Sequence, residues 1–135
     1  MNKVRVTKQY ILSAMHNLER TDLDPSENEK LFGICYRWHG HDYKIQVELE
    51  AEIQSSGLSV DRNAIDTIVE STLLKPFTGS RLNDHFSNTS GEALCSAFFD
   101  LLSPVVSQTF KQVQLIGIHI QETRKNWFSY SPSNS

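Results

Sequence analysis

Tyr43, Ile45, Val47 and Leu49 alternate with Lys44, Gln46, Glu48 and Glu50. A period of two with one apolar face predicts a half-buried β-strand. From Lys3 to Leu12, β-branched and aromatic residues alternate more loosely with polar ones, which predicts an earlier strand. Residues 19–30, ERTDLDPSENEK, are polar, contain Pro25 and show no apolar period, so a loop is expected there. The stretch LFGICYRWHGHDY (31–43) looks like the start of the second strand, and SSG (55–57) marks a turn. From about Ser59 the period lengthens. Ala64, Ile65, Ile68, Val69 and Leu73 follow helical spacing, and Pro76 is expected to stop that helix. A loop is expected over 76–88. Thr89 followed by Glu92 fits a capping box opening a second helix. Its stripe is Ala93, Leu94, Ala97, Phe98, Leu101 and Leu102, and Pro104 is expected to end it. Val113, Leu115, Ile118 and Ile120 predict a last strand or strand pair, and the tail SYSPSNS is expected to fray.

The order strand, strand, helix, helix, then one or two strands predicts an α+β fold with an antiparallel sheet. One domain is expected over 1–130, with 131–135 as a frayed tail. Two helices on one face leave sheet edges to manage. A small domain of this shape often closes its sheet with further copies of itself, so a homo-oligomer is expected.

Composition narrows the class. The 135 residues suit one modest core, and 39% hydrophobic with 21% charged residues is ordinary for a globular protein. A net charge of −3 carries no basic footprint for nucleic acid. No apolar run approaches the roughly 20 residues that cross a bilayer. The N-terminus mixes charge with apolar residues, unlike a signal peptide, so a cytoplasmic protein is expected. In that compartment the two cysteines, Cys35 and Cys95, are not expected to pair.

The chemistry-bearing residues gather around the second strand. His39 and His41 are two apart, so on a strand both point to one face, a geometry that suits two imidazole ligands to one metal. A catalytic zinc usually takes three protein ligands and keeps one position open. The third could be His16, His85 or His119. The other reading is a surface or hydrogen-bonded histidine pair. Cys35 lies four residues before His39, and a thiol near a divalent cation can act as base or nucleophile. As an isolated cysteine it could equally be a small buried hydrophobe. Cys95 sits on the apolar side of the second helix and reads as core. His119 faces away from Ile118 and Ile120, toward solvent or an interface. Asp61 is most simply a helix cap.

In order along the chain, these pieces resemble the 6-pyruvoyl-tetrahydropterin synthase / 6-carboxy-tetrahydropterin synthase family, from about Val6 to Tyr130. SAMHNL looks like its first-strand segment with a zinc histidine. ENEKLFGICYRWHGHDYKIQVEL looks like its signature of Asn, Leu-Phe-Gly, a catalytic cysteine and His-Gly-His. GLSVDRNAID is similar to the turn opening its first helix and TSGEAL to the segment opening its second. IHIQETRKNWFSY resembles its final strand with a Glu-Thr pair. The resemblance implies a tunnelling fold, in which subunits close their sheets into a barrel with active sites at subunit interfaces, commonly as trimers stacked into hexamers. It implies Zn2+ held by His16, His39 and His41, with Cys35 as the base. It implies a pterin anchored by Glu122 in a pocket lined by Ser90, Gly91 and Glu92. The implied substrate is 7,8-dihydroneopterin triphosphate. One branch makes 6-pyruvoyl-tetrahydropterin. The other loses acetaldehyde to leave 6-carboxy-tetrahydropterin, on the route to queuosine. Three residues between Cys35 and His39 resemble the carboxy branch, which is the preferred reading, whereas ENEKLFG is at home in the pyruvoyl branch.

One departure matters. The family usually carries an Asp-His pair before Leu-Asn in the loop between the helices. Aligning on Leu82-Asn83 puts Thr78 and Gly79 there. Neither side chain titrates near neutral pH, so a proton relay at those positions cannot operate. His85, six residues past Gly79, is the nearby histidine that could substitute. The alternatives are a dihydroneopterin aldolase-like lyase and a non-catalytic pterin-binding homologue. Gly91 also stands where the family often has a hydroxyl, a loss Ser90 could cover.

Overall fold

The computed structural model describes residues 2–132. Its frame is two 14-residue strands, β1 (Lys3–His16) and β2 (His39–Glu52), paired antiparallel from Lys3 opposite Glu52 to His16 opposite His39. β3 (Val113–Gln121) pairs antiparallel with β2, and β4 (Trp127–Tyr130) with β3, giving the order β1-β2-β3-β4. The alternation through Tyr43, Ile45, Val47 and Leu49 turns those side chains to one face, where all four are fully buried. They form one core with Ile65 of α2 (Arg62–Val69) and with Leu94, Phe98 and Leu102 of α4 (Gly91–Thr109). Asp61 caps α2, its carboxylate accepting from Ala64 N at 3.1 Å.

The apolar phase along β3 changes between Leu115 and Ile118 because the ladder carries a bulge. Leu49 pairs with Leu115 and Glu48 with Gly117, leaving Ile116 as the extra residue. Both Leu115 and Ile118 therefore reach the core.

Several boundaries differ from the sequence pattern. The polar stretch 19–30 is not all loop: α1 (Pro25–Phe32) begins inside it. Asp24 accepts from Glu27 N while the Glu27 carboxylate accepts from Asp24 N, and Pro25 opens the first turn. This helix rests on its cap rather than on an apolar stripe, so it has no period to read. A 3-10 turn, Gly33–Tyr36, follows, and β2 begins only at His39, not near Leu31. Pro76 does not stop the helix that starts at Arg62. The chain passes through a π turn, Glu70–Leu74, into α3 (Lys75–Phe77), where Pro76 stands in the first turn.

The cap of α4 is Ser90, whose hydroxyl accepts from Ala93 N at 3.2 Å, rather than Thr89. Thr89 is buried and donates to Asn17 O at 2.9 Å. Pro104 lies inside α4. It is exposed, as is Asp100, so the carbonyl deprived of a partner faces water while Leu102 and Val106 continue the buried stripe. Ser129 and Tyr130, expected to fray, complete β4. Of the expected tail, residues 133–135 lie outside the described residues.

Gly91 opens α4 against β4. A Cβ there would sit 2.2 Å from Phe128 ring carbons. Gly91→Ala is expected to cost about 1–3 kcal/mol in urea unfolding through overpacking. Phe128→Leu in the same chain should recover part of it. An unchanged unfolding midpoint in the single variant would contradict this packing.

Candidate metal centre

The β1/β2 register sets the centre. His16 is the last residue of β1 and His39 the first of β2, directly opposite each other, and His41 follows two residues on, on the same face. Their ligand atoms all lie within 4.8 Å of one another. A tetrahedral zinc bound at ~2.0–2.1 Å needs its nitrogens about 3.4 Å apart, so small ring rotations suffice.

Outer partners orient the rings. His16 Nδ1 lies 2.8 Å from the Thr89 carbonyl and His39 Nδ1 2.6 Å from the Arg37 carbonyl. A carbonyl only accepts, so each Nδ1 carries a proton and each Nε2 is turned away from that carbonyl. Nε2 of His16 and of His41 is buried with no hydrogen-bond partner. Burial holds the imidazoles of both below the usual histidine range, and the neighbouring His39 adds to it. Neutral imidazoles with unused lone pairs fit a metal ion.

Glu122, just past β3, brings a carboxylate oxygen to 3.9 Å from His16 Nε2, with its side chain only 15% exposed. Its backbone N–H is held by Asn126 O at 3.0 Å.

Cys35 is half-buried in the 3-10 turn, and its Sγ is not among the converging ligand atoms. Its segment is tied to the end of β1. Leu18 N donates to Cys35 O at 2.8 Å, and Asn17 Nδ2 to Tyr36 O at 3.1 Å. Arg81 covers the Trp38 ring at 4.7 Å, fixing the spacer before His39. Ser90 and Glu92 line a cleft of about 680 Å3 together with Asn17, Arg20 and Phe86. Gly91, between them, is buried beneath Phe128. His85 lies outside the histidine cluster, exposed and edge-on to Phe77 at 5.1 Å.

Thr78 bonds back to Leu74 O at 2.7 Å. Gly79 N–H donates to Ser13 O at 2.8 Å with φ +73°, a conformation side chains rarely adopt. His119 stays on the open face of the sheet, between Glu48 and Ser129, at 2.8 Å from each. Cys95 is core, and burial pushes its thiol up to about 11.

Pattern reading missed the polar scaffold beneath the centre. Asn17 N–H donates to Asn83 Oδ1, and Asn83 Nδ2 returns to Asn17 O, which also accepts from Thr89. Asn28 joins Arg20, Leu23 and Asp24 backbones in the loop before α1.

A sequence model of the 6-pyruvoyl tetrahydropterin synthase family matches residues 5–133. The 6-pyruvoyl tetrahydrobiopterin synthase of Drosophila melanogaster is 26% identical over 131 residues, 93% of this chain and 77% of that protein. The 6-carboxy-5,6,7,8-tetrahydropterin synthase of Haemophilus influenzae is 26% identical over 110 residues, 78% of this chain and 67% of that one. The solved structure of Caenorhabditis elegans 6-pyruvoyl tetrahydropterin synthase superposes with a TM-score of 0.87 at 26% identity, covering 98% of both chains. Among the described residues, no helix is long and apolar enough to cross a membrane.

The depressed histidines make stability depend on pH. In the unfolded chain His16 and His41 take protons near pH 6.5, but in the folded, metal-free protein only at lower pH. The unfolded state thus binds more protons below about 6.5, so their contribution is complete above that pH and is lost as pH falls. The Tm of chelated protein is expected to hold from pH 8 to 7 and to drop below about 6.5, less steeply in His16→Gln. A slope identical in His16→Gln would contradict this.

Proposed function

The chain belongs to the 6-pyruvoyl tetrahydropterin synthase family, and on that premise we propose that it is a zinc-dependent lyase acting on 7,8-dihydroneopterin triphosphate. The observation that carries the reading is the convergence of His16, His39 and His41 with the Glu122 carboxylate beside them. Burial disfavours the charged forms of His16 and His41, and the carbonyls of Thr89 and Arg37 orient His16 and His39 from outside. Zinc in an open three-histidine site polarises substrate oxygens and makes an adjacent C–H more acidic.

The chain's own residues do the rest. Glu122 accepts two parallel hydrogen bonds from the pterin's ring N–H and amino group, fixing the ring's edge. Cys35 is the base that takes the side-chain proton. Ser90 and Glu92 line the approach, with the Gly91 backbone behind them. The Asp-His relay usual in the family is absent at Thr78 and Gly79, and His85 is the proposed substitute. Both β1 and β4 stand at open edges of the sheet. Pairing them between copies would close a barrel and let a neighbour complete each site, which supports a homo-oligomer.

The three-residue spacer between Cys35 and His39 carries the 6-carboxy product as the first reading. The 6-pyruvoyl product is the second, favoured by the likeness to the C. elegans structure along the whole chain. Zinc-loaded protein incubated with 7,8-dihydroneopterin triphosphate is expected to give one of the two products by mass spectrometry. Cys35→Ala should cut the yield at least about 100-fold, and His85→Ala should do likewise. Unchanged substrate with the wild-type chain would contradict the synthase reading and leave an aldolase-like lyase acting on a different pterin, or a pterin-binding homologue.

A further inference from the structure

Among the described residues, four buried side-chain atoms lack a hydrogen-bond partner: His16 Nε2, His41 Nε2, Asn17 Oδ1 and Tyr43 Oη. A metal accounts for both imidazole nitrogens. It does not account for Tyr43, which lies on β2 two residues past His41, with its side chain turned to the same face. Tyr43 is 0% exposed, and its ring meets those of His41 and His16 edge-on at 5.3 and 5.8 Å. A buried hydroxyl without a partner destabilises the fold, and phenylalanine would fill the same space without that penalty.

Glu122 supplies the matching acceptor. The only polar side-chain contact of its carboxylate among the described residues is the one with His16 Nε2 at 3.9 Å. That nitrogen is the atom a metal takes. An unprotonated nitrogen gives the carboxylate no hydrogen bond, so Glu122 can accept from another donor or, with a metal bound, join the ion. Tyr43 carries the unused donor, and it stands opposite Glu122 where the β2/β3 register runs one step past Lys44 opposite Gln121. A phenol is protonated at neutral pH and donates.

We infer that Tyr43 is a positioning residue whose hydroxyl donates to the Glu122 carboxylate in the metal-loaded protein, keeping it off the metal and aimed at the donor edge of the ligand. The ligand half of this inference rests on the pterin reading above. The metal half does not.

Tyr43→Phe separates the possibilities. In metal-free protein the variant should melt at the wild-type temperature or higher, because an unpaired buried group is gone. In zinc-loaded protein it should bind neopterin about tenfold more weakly by fluorescence titration, as loss of a hydrogen bond to a charged group implies. In cobalt(II)-loaded protein Glu122 should close on the ion, changing the visible spectrum toward higher coordination. The double variant Tyr43→Phe/Glu122→Gln should restore the wild-type spectrum. A lower metal-free Tm in Tyr43→Phe, or a variant matching wild type in both neopterin affinity and cobalt spectrum, overturns the inference. If wild-type protein fails to bind neopterin, the pterin reading falls, and the cobalt spectrum decides the role of Tyr43 alone.

Discussion

The register of β1 on β2 is the constraint on which the centre depends. Pairing His16 with His39 puts the end of one strand against the start of the next, and a period of two adds His41. A slip of one residue would turn His16 to the opposite face from His39 and His41 and would expose Leu12 and Ala14. The apolar residues of both strands therefore hold the register for the histidines. Leu12 lies opposite Tyr43 and Tyr10 opposite Ile45, so core packing and ligand geometry share one alignment.

The loops add to that frame by hydrogen bonding rather than by apolar burial. Asn17 follows His16 directly and joins four segments: the end of β1, the 3-10 turn carrying Cys35, the Asn83 loop and the start of α4 at Thr89. The same Thr89 offers its carbonyl to His16 Nδ1. One buried polar network therefore sets the ring of a candidate ligand and positions the thiol segment. Such networks are specific because each buried group left unpaired is costly. The unpaired atoms that remain lie in or next to the histidine cluster, which is where a bound ion and ligand would meet them.

The strands were legible because their side chains alternate strictly. His39 and His41 were legible as a pair for the same reason. The third candidate ligand was not fixed by spacing, since His16, His85 and His119 were all open; it was family resemblance that singled out His16, and the register brings His16 against His39. α1 was missed because it is held by the reciprocal Asp24–Glu27 cap and buries only Asn28, leaving no apolar period. Pro104 was misread because a proline on the exposed face of a long helix costs less than the buried stripe on the other side contributes. Thr78 and Gly79 were legible as a departure. The fold adds that Gly79 occupies a positive-φ turn bonded to β1, a conformation that glycine adopts without strain.

The central claim is that three imidazoles, and not the nearby thiol, hold the metal. X-ray absorption at the zinc edge of reconstituted protein tests it most directly. The account predicts a first shell of nitrogen and oxygen scatterers at ~2.0–2.1 Å, with multiple-scattering features of three imidazoles and no sulfur. A sulfur shell at ~2.3 Å would place Cys35 on the metal instead and contradict its assignment as a free base.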